Sequence, residues 1–391
     1  MPPVPNRSDS LRGIPPNSRS VALAGVAEAG ACLQAILAVV ARRRVTRPQA
    51  GPAKNPRSPS LFSGLSALLA VAALLPAPLV RAGAADERPF RIVGPAAGAD
   101  CRTVQEAIDA VPADNAAPKL ILLQPGAYFG HTVLDKPFVT LRGSGPASLL
   151  TYNLGQAIPG ADGQEITWRG ASALLITPAA HDAVIENLTL ENTYGKGMQA
   201  QACSVEADRV LFRRCRILGW QDTLRLETGR QLFEQCYISG HVDFIYGGAT
   251  AFFDRCEIHC RDQGYITAPA TPANRTGFVF ADCRITFPYG NPPTYLGRPW
   301  KESSQAVFIR CELGAGVHAE GWKEWRVAPP LIRFSEYQSR GPGATPTANP
   351  SRVPWATFST QPAPTTFDRA AVLGDWQPPT AQPAKRDATT P

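Results

Sequence analysis

The sequence predicts an all-β chain coiled as a parallel β-helix, a solenoid with short flanking helices and long loops. Three observations predict it. The pattern F-x-x-C-x-[IL] recurs at Phe212/Cys215/Ile217, Phe233/Cys236/Ile238, Phe253/Cys256/Ile258, Phe280/Cys283/Ile285 and Phe308/Cys311/Leu313, with an apolar version at Ile185/Leu188/Leu190. The steps from Leu188 onward are 27, 21, 20, 27 and 28 residues, and such a period around a short β-rich stretch is a solenoid signature. Within each unit Phe, Ile, Val and Cys alternate as strands with one buried face require, without helical heptads. A Greek-key sandwich would place Asn-Gly hairpin turns between its strands, and the sequence has none. The phenylalanines and cysteines therefore read as interior ladders, and the unequal steps as loops of different length leaving the coil.

Two successive units carry an acid at the same place. FRRCRILGWQDTL holds Cys215 and Asp222, and FEQCYISGHVDFI holds Cys236 and Asp243. Both pairs are 21 residues apart, so the acids fall on neighbouring rungs and face the same way. Rungs stack about 4.8 Å apart, which brings the two carboxyl groups close enough to perturb each other's ionisation. One pKa then rises, and that group keeps its proton near neutrality. Further polar groups flank the pair: Gln199 opens QAQAC, Gln221 precedes Asp222, and YLGRPW supplies Arg298 and Trp300.

Composition narrows the class. The formal charge is +7, but residues 1–84 hold 10 Lys+Arg against 2 Asp+Glu, and the remainder holds 29 against 30. The basic character belongs to the N-terminal extension, which removes the main support for a nucleic-acid-binding reading. Residues 1–57 are rich in Pro, Arg and Ser, with an apolar run from Val21 to Val40 interrupted by Glu28. Lys54 and Arg57 then precede the apolar stretch Leu61 to Leu75, and Ala82-Gly83-Ala84 follows. Basic flank, apolar core and small-x-small site describe a secretory signal peptide, with a short membrane anchor as the competing reading. Its position deep in the chain leads us to expect a true start codon later than Met1. The expected localisation is secreted, with a periplasmic or membrane-anchored protein as alternatives and no stable membrane association after cleavage.

Export makes the eight cysteines beyond the extension worth weighing as disulfides. Neighbouring ladder members fall within bonding range, and Cys236 with Cys256 is the candidate pair, against a reading of all five ladder thiols as buried small hydrophobes. Cys101, Cys203 and Cys260 lie outside the ladder. No C-x-x-C or His/Cys cluster points to zinc, and no dense carboxylate cluster points to calcium. His131, His181, His241, His259 and His318 have no G-x-S-x-G partner, so none is assigned to a triad. No metal or cofactor is expected.

The motifs in their order resemble those of the pectin methylesterases, or pectinesterases, a family of right-handed parallel β-helix carbohydrate esterases. Gln199 to Leu224 is similar to the family's stretch from its QAVAL-type motif to QDTL, DFIYG from Asp243 to Gly247 resembles DFIFG, and LGRPW from Leu296 to Trp300 matches outright. TVQEAI near Thr103, PGAYF near Tyr128, ENT near Asn192 and FSEYQSRGPGA near Glu336 add to it, and the likeness covers roughly residues 90–375. The resemblance implies hydrolysis of C6 methyl esters of galacturonate in methyl-esterified pectin (homogalacturonan), releasing methanol. Residue by residue, it implies Asp243 as nucleophile, Asp222 as general acid and then base, and Gln221 and Gln199 as oxyanion donors. Arg298 would orient Asp243, and Trp300 and Tyr246 would contact the sugar along with Arg298 and Gln199. The chemistry agrees: Arg298 favours the charged form of Asp243 and leaves the proton on Asp222, while neutral amides donate without dimming the nucleophile.

The sequence also departs from the family pattern. Gly130 stands where G-x-Y-x-E has its acid, Arg225 follows QDTL where an aromatic is typical, Gly248 replaces Asn, and Pro269 replaces Gln. None removes a proposed catalytic group, and Arg225 adds a cation that could favour a neighbouring free carboxylate. The Gly-rich stretch from Gly155 to Gly170 is expected as a loop by the cleft, and FDRAAVLGDW as a short helix along the coil. Alternatives on the same scaffold are an esterase for another ester or thioester, a glycoside hydrolase with paired acids, and a noncatalytic polysaccharide binder. The expected organisation is a monomer with extension 1–84, catalytic solenoid 85–376 and a disordered Pro-rich tail 377–391.

Overall fold

The structure is a computed structural model that describes residues 88–160, 163–344 and 351–380. The apolar segment 61–75 with its cleavage site, and residues 381–391 of the expected tail, lie outside the described residues. Residues 377–380, expected as part of that disordered tail, are instead ordered, with Pro379 O accepting from Arg213 Nη2 at 2.6 Å. One sheet has 11 strands, all parallel, stacked in chain order from Arg91–Val93 to Thr357–Ser359. The second sheet forks into two branches joined by the long strands Tyr237–Gly247 and Glu257–Pro269, which pair with each other along most of their length. The chain visits the first sheet, then one branch, then the other, and returns one rung further on. That path is the parallel β-helix.

The motif F-x-x-C-x-[IL] encodes the corner between the first sheet and the first branch. Phe212 and Cys215 both point inward although three residues apart, because the residue between them turns the chain. Arg214, Gln235, Arg255, Asp282 and Arg310, each just before a ladder cysteine, have φ of 51°, 53°, 50°, 56° and 51°. A left-handed residue at each corner costs about 1–2 kcal/mol for an L side chain, and the rungs on both sides compensate. Register then runs unbroken: Phe212 pairs with Phe233, Phe233 with Phe253, Phe253 with Phe280, and Phe280 with Phe308. Their rings stack at 4.6, 4.6, 4.3 and 4.5 Å between centroids, and all five are fully buried.

The cysteine ladder is present, but Cys236 and Cys256 are not bonded to one another. All eight described cysteines are free thiols. Each ladder sulfur instead donates to a carbonyl of the preceding rung: Cys236 Sγ to Phe212 O at 3.6 Å, and Cys256 Sγ to Phe233 O at 3.4 Å. A chain of such bonds satisfies every sulfur in the same way. Pairing two of them would break the repeat, so the bland reading of buried small hydrophobes is the one the structure supports.

One end and one flank of the coil are covered. Val104–Asp109 is a helix with a Thr103/Glu106 capping box, and it buries Val104, Ala107 and Ile108 against the first rungs. The outer side of the first sheet presents Leu211, Leu232, Phe252, Val279 and Val307, which solvent would leave as an apolar patch. The helix Arg369–Leu373 lies over it as expected, burying Val372, Leu373 and Trp376 in the same cluster. Reductant should therefore leave the melting temperature unchanged, and thiol titration in denaturant should find all eight described cysteines reactive; a drop of several degrees in dithiothreitol would reveal a disulfide. Phe253→Ala, which empties the middle of the ring stack, should cost about 3–5 kcal/mol in urea unfolding.

Candidate active site

Rung register sets the geometry of the acid pair. On either side of the acids the pairing offset is the same, Leu218 with Ser239 and Leu224 with Ile245, so Asp222 stacks on Asp243. The Asp222 N–H donates to Val242 O at 3.1 Å. Both acids sit where the chain turns from one branch of the second sheet to the other, with φ of 62° and 50°. Asp is among the residues that tolerate this left-handed region, and strain of this kind collects at functional sites.

Their surroundings make them unequal. Arg298 holds Asp243 with a two-pronged pair, Nε to Oδ1 at 2.9 Å and Nη2 to Oδ2 at 2.6 Å. The guanidinium itself is clamped between two rings, 4.0 Å from Tyr265 and 3.9 Å from Trp325, which fixes the fork that bidentate pairing needs. Burial pushes the Asp243 carboxyl above the usual range, and Arg298 pulls it back. Asp222 is pushed up to about 8, first by burial and then by the charge of Asp243. Hydrogen bonding from the Tyr246 hydroxyl and the more distant Arg225 and Arg298 charges oppose that shift without cancelling it. Asp243 therefore gives up its proton first, and Asp222 holds one at neutral pH.

Gln199 and Gln221 form a bridge on adjacent rungs, and Gln221 adjoins Asp222 in the chain. Backbone bonds continue the ladder past the third face, Arg298 N to Thr267 O and Trp300 N to Pro269 O, both at 3.0 Å. Register thus brings Gln199, Gln221, Asp222, Asp243, Arg298 and Trp300 into one constellation. Tyr246 requires a correction. It is 3% exposed, packed 5.8 Å from the Trp300 ring, so its ring offers no open face to a sugar. Its hydroxyl instead accepts from Gln201 Nε2 at 2.8 Å and turns to Asp222. Burial holds the phenol protonated far above its ordinary range, which leaves it a donor to that acid.

Gln201 is a residue the sequence reading passed over, although it shares the QAQAC stretch with Gln199. The rung containing it has one extra residue: Gln199 pairs with Gln221, yet Cys203 pairs with Leu224. The slip buries Gln201 completely. Trp168, Tyr265 and Trp325 were also missed, and only Gln201 had a local signal, the Q-x-Q spacing. The loop between strands Ser148–Tyr152 and Leu174–Ile176 does flank the site. Its Gln156 N–H donates to Gln199 O at 2.8 Å, and it carries the short helix Trp168–Ala171. Buried Asn192 ties both ends of this loop to the coil, its Nδ2 lying 2.9 Å from Leu154 O, 2.9 Å from Ala171 O and 3.1 Å from Gln201 O. His241 packs edge-on against Trp220, 5.5 Å between centroids, and burial holds its pKa below the ordinary value. Among the described residues no group of three or more His, Cys, Asp or Glu could hold a metal ion.

A solenoid that sets one charged and one protonated carboxyl side by side, with an arginine clamp and amide donors, has the parts of an aspartate-based ester hydrolase. The comparisons with known proteins make the class specific. The Pectinesterase family profile matches residues 91–372. Pectinesterase 31 of Arabidopsis thaliana is 37% identical over 282 residues, spanning 70% of this chain and 88% of the relative. A solved pectin methylesterase from carrot superposes with a TM-score of 0.66 at 30% identity, covering 73% of this chain and 93% of its own. A pectin methylesterase in complex with hexasaccharide VII superposes with a TM-score of 0.66 at 26% identity, covering 75% and 99%. The chain belongs to the pectinesterase family.

The ionisation of Asp222 has a consequence for stability. Its folded pKa is about 8, against an ordinary carboxylate value of 3.8, so between about pH 4 and 8 the folded state binds a proton the unfolded state has lost. Stability contributed by this group is intact below that window and falls as pH rises through it, and raised Asp243 acts in the same direction. Asp222→Asn should therefore melt higher than wild type at pH 8, with the gap closing towards pH 4. Equal melting temperatures across the range would refute the assignment.

Proposed function

We propose that the protein hydrolyses C6 methyl esters of galacturonate in pectin, with Asp243 as nucleophile and Asp222 as acid and base. The observation that carries this is the two-pronged Arg298–Asp243 pair beside a carboxyl that stays protonated near neutrality. The Asp243 carboxylate attacks the ester carbonyl carbon, and the carbonyl π pair moves onto oxygen. Amide N–H groups of Gln221 and Gln199 donate to that oxyanion; one such donor contributes about 3–4 kcal/mol to the barrier. As the tetrahedral centre collapses, Asp222 passes its proton to the departing methoxide, which leaves as methanol. An acyl-enzyme anhydride on Asp243 remains.

Asp222, now a carboxylate, takes a proton from water as the water oxygen attacks the anhydride's galacturonyl carbon. Collapse expels the Asp243 carboxylate and leaves a free galacturonic acid, which ionises to solvent. Asp222 has regained its proton and Asp243 its charge, so the cycle closes with one water consumed and one methanol released. The same pair of acids serves both half-reactions because the register holds them on adjacent rungs. Trp300, half-buried beside the pair, is the aromatic surface left to meet the sugar.

We read the protein as a secreted monomer. Support for secretion comes from the apolar segment 61–75 with its basic flank and small-residue site. Asp243→Asn and Asp222→Asn should each lower methanol release from highly esterified pectin by about 10³-fold or more, and Gln221→Ala should lower kcat by about 10²–10³-fold. Reducing sugar without methanol would indicate a glycoside hydrolase. Pectin binding with neither product would indicate a binder.

A further inference from the structure

We infer that Arg225 recognises a free galacturonate carboxylate beside the ester being cleaved, an inference that rests on the pectinesterase reading above. Arg225 lies between Leu224 and Leu226, whose side chains are fully buried inside the coil. Strand alternation therefore turns it outward, in register with Ser204 on one side and Tyr246 on the other. It is three residues along the rung from Asp222, on the wall of the same site.

Three aromatic rings from separate parts of the chain surround its guanidinium. It sits 4.1 Å from the Trp168 ring, 5.2 Å from Tyr246 and 5.6 Å from Trp300. This cage fixes the plane of the cation and strips water from it, with 11% of the side chain left exposed. Its protein partners do not use up its donors. Glu227 Oε2 takes Nη2 at 2.5 Å, and the Tyr246 hydroxyl is a second neighbour. Nε is buried with no hydrogen-bond partner among the described residues. A buried guanidinium N–H is costly to leave unpaired, and Arg holds carboxylates through two parallel bonds. Glu227 is 40% exposed and can swing to solvent, which frees Nη2 to complete the fork beside Nε.

The substrate offers one anion that fits. Each sugar next to the scissile ester carries either a neutral methyl ester or a carboxylate, and a caged cation separates those two by charge as well as by hydrogen bonding. Other charges around the cage leave room for it. Glu206 is engaged by Arg169, and Lys301 adds a positive charge 5.7 Å over Trp300. A neutral aromatic at position 225 would provide stacking without that selection.

The test compares methanol release from highly esterified and about half-esterified pectin at one pH, for wild type, Arg225→Gln and Arg225→Lys. The quantity read is the ratio of kcat/KM on the two substrates, because any effect of Arg225 on Asp222 changes both rates together and cancels. Wild type should favour the half-esterified polymer, Arg225→Gln should lower that ratio about ten-fold, and Arg225→Lys should retain part of it. De-esterified oligogalacturonate should also inhibit wild type more strongly than Arg225→Gln, a readout available even if one variant is poorly stable. A ratio unchanged in Arg225→Gln, or a wild type without preference, would overturn the inference and leave Arg225 as a brace for the cage. Methanol release by wild type from neither polymer would overturn the pectinesterase reading itself.

Discussion

The constraint on which everything else depends is the single left-handed residue at the corner before each ladder cysteine. It lets Phe and Cys three positions apart both face inward, and it recurs at Arg214, Gln235, Arg255, Asp282 and Arg310. Because the corner adds no variable length, hydrogen bonding between rungs can run in one register along the sheet. Stacked phenyl rings and sulfur-to-carbonyl bonds follow from that register and hold it in turn. A disulfide would constrain two rungs at the expense of the repeat, whereas the thiols bond in the same way on each of the five ladder rungs. The scaffold is thus rigid along its axis before any loop is considered.

That rigidity is what separates two chemically identical carboxyls. Aspartates held on neighbouring rungs cannot relax apart, so their repulsion and burial are both retained, and one environmental difference decides which gives up its proton. Arg298 supplies the difference, and Tyr265 and Trp325 fix Arg298. Gln201 and Tyr246 act from the other side, presenting a hydroxyl to Asp222 from beneath the surface. Without the rings the guanidinium could leave Asp243, and the ordering of the two acids would depend on solvent access alone.

What the sequence discloses follows the same division. Repeating features were legible because period and alternation report them: the five-fold motif, the stacking of Asp222 on Asp243, and the helix at Arg369–Leu373. Tyr246 was given an open face by its motif, whereas the ring is buried, since strand pattern does not say that Trp300 and Arg225 would cover it. Gln201 was hidden by a one-residue slip that alters alternation in its own rung. Trp168 and Trp325 come from loops, where spacing carries no information about what meets what, and Tyr265 lies past the register shift between the strands Tyr237–Gly247 and Glu257–Pro269. The same geometry explains why Cys236 and Cys256 looked bondable: proximity was right, and the competing carbonyl partner was invisible.

The acid pair and the cage around Arg225 therefore draw on different parts of the molecule. Asp222 and Asp243 sit at corners of consecutive rungs, where register leaves little freedom. The cage around Arg225 joins one strand residue to Trp168 from a long loop and Trp300 from the segment after the last strand of its branch. Loops can change length without disturbing register, so selectivity can shift while the acid pair stays fixed. Arg225 is the point where the two meet, since its backbone belongs to the coil and its guanidinium to the loops. A charge there lowers the pKa of Asp222, so any cation at this position must be balanced locally. Glu227, two residues on and half in solvent, supplies that balance without occupying the cleft.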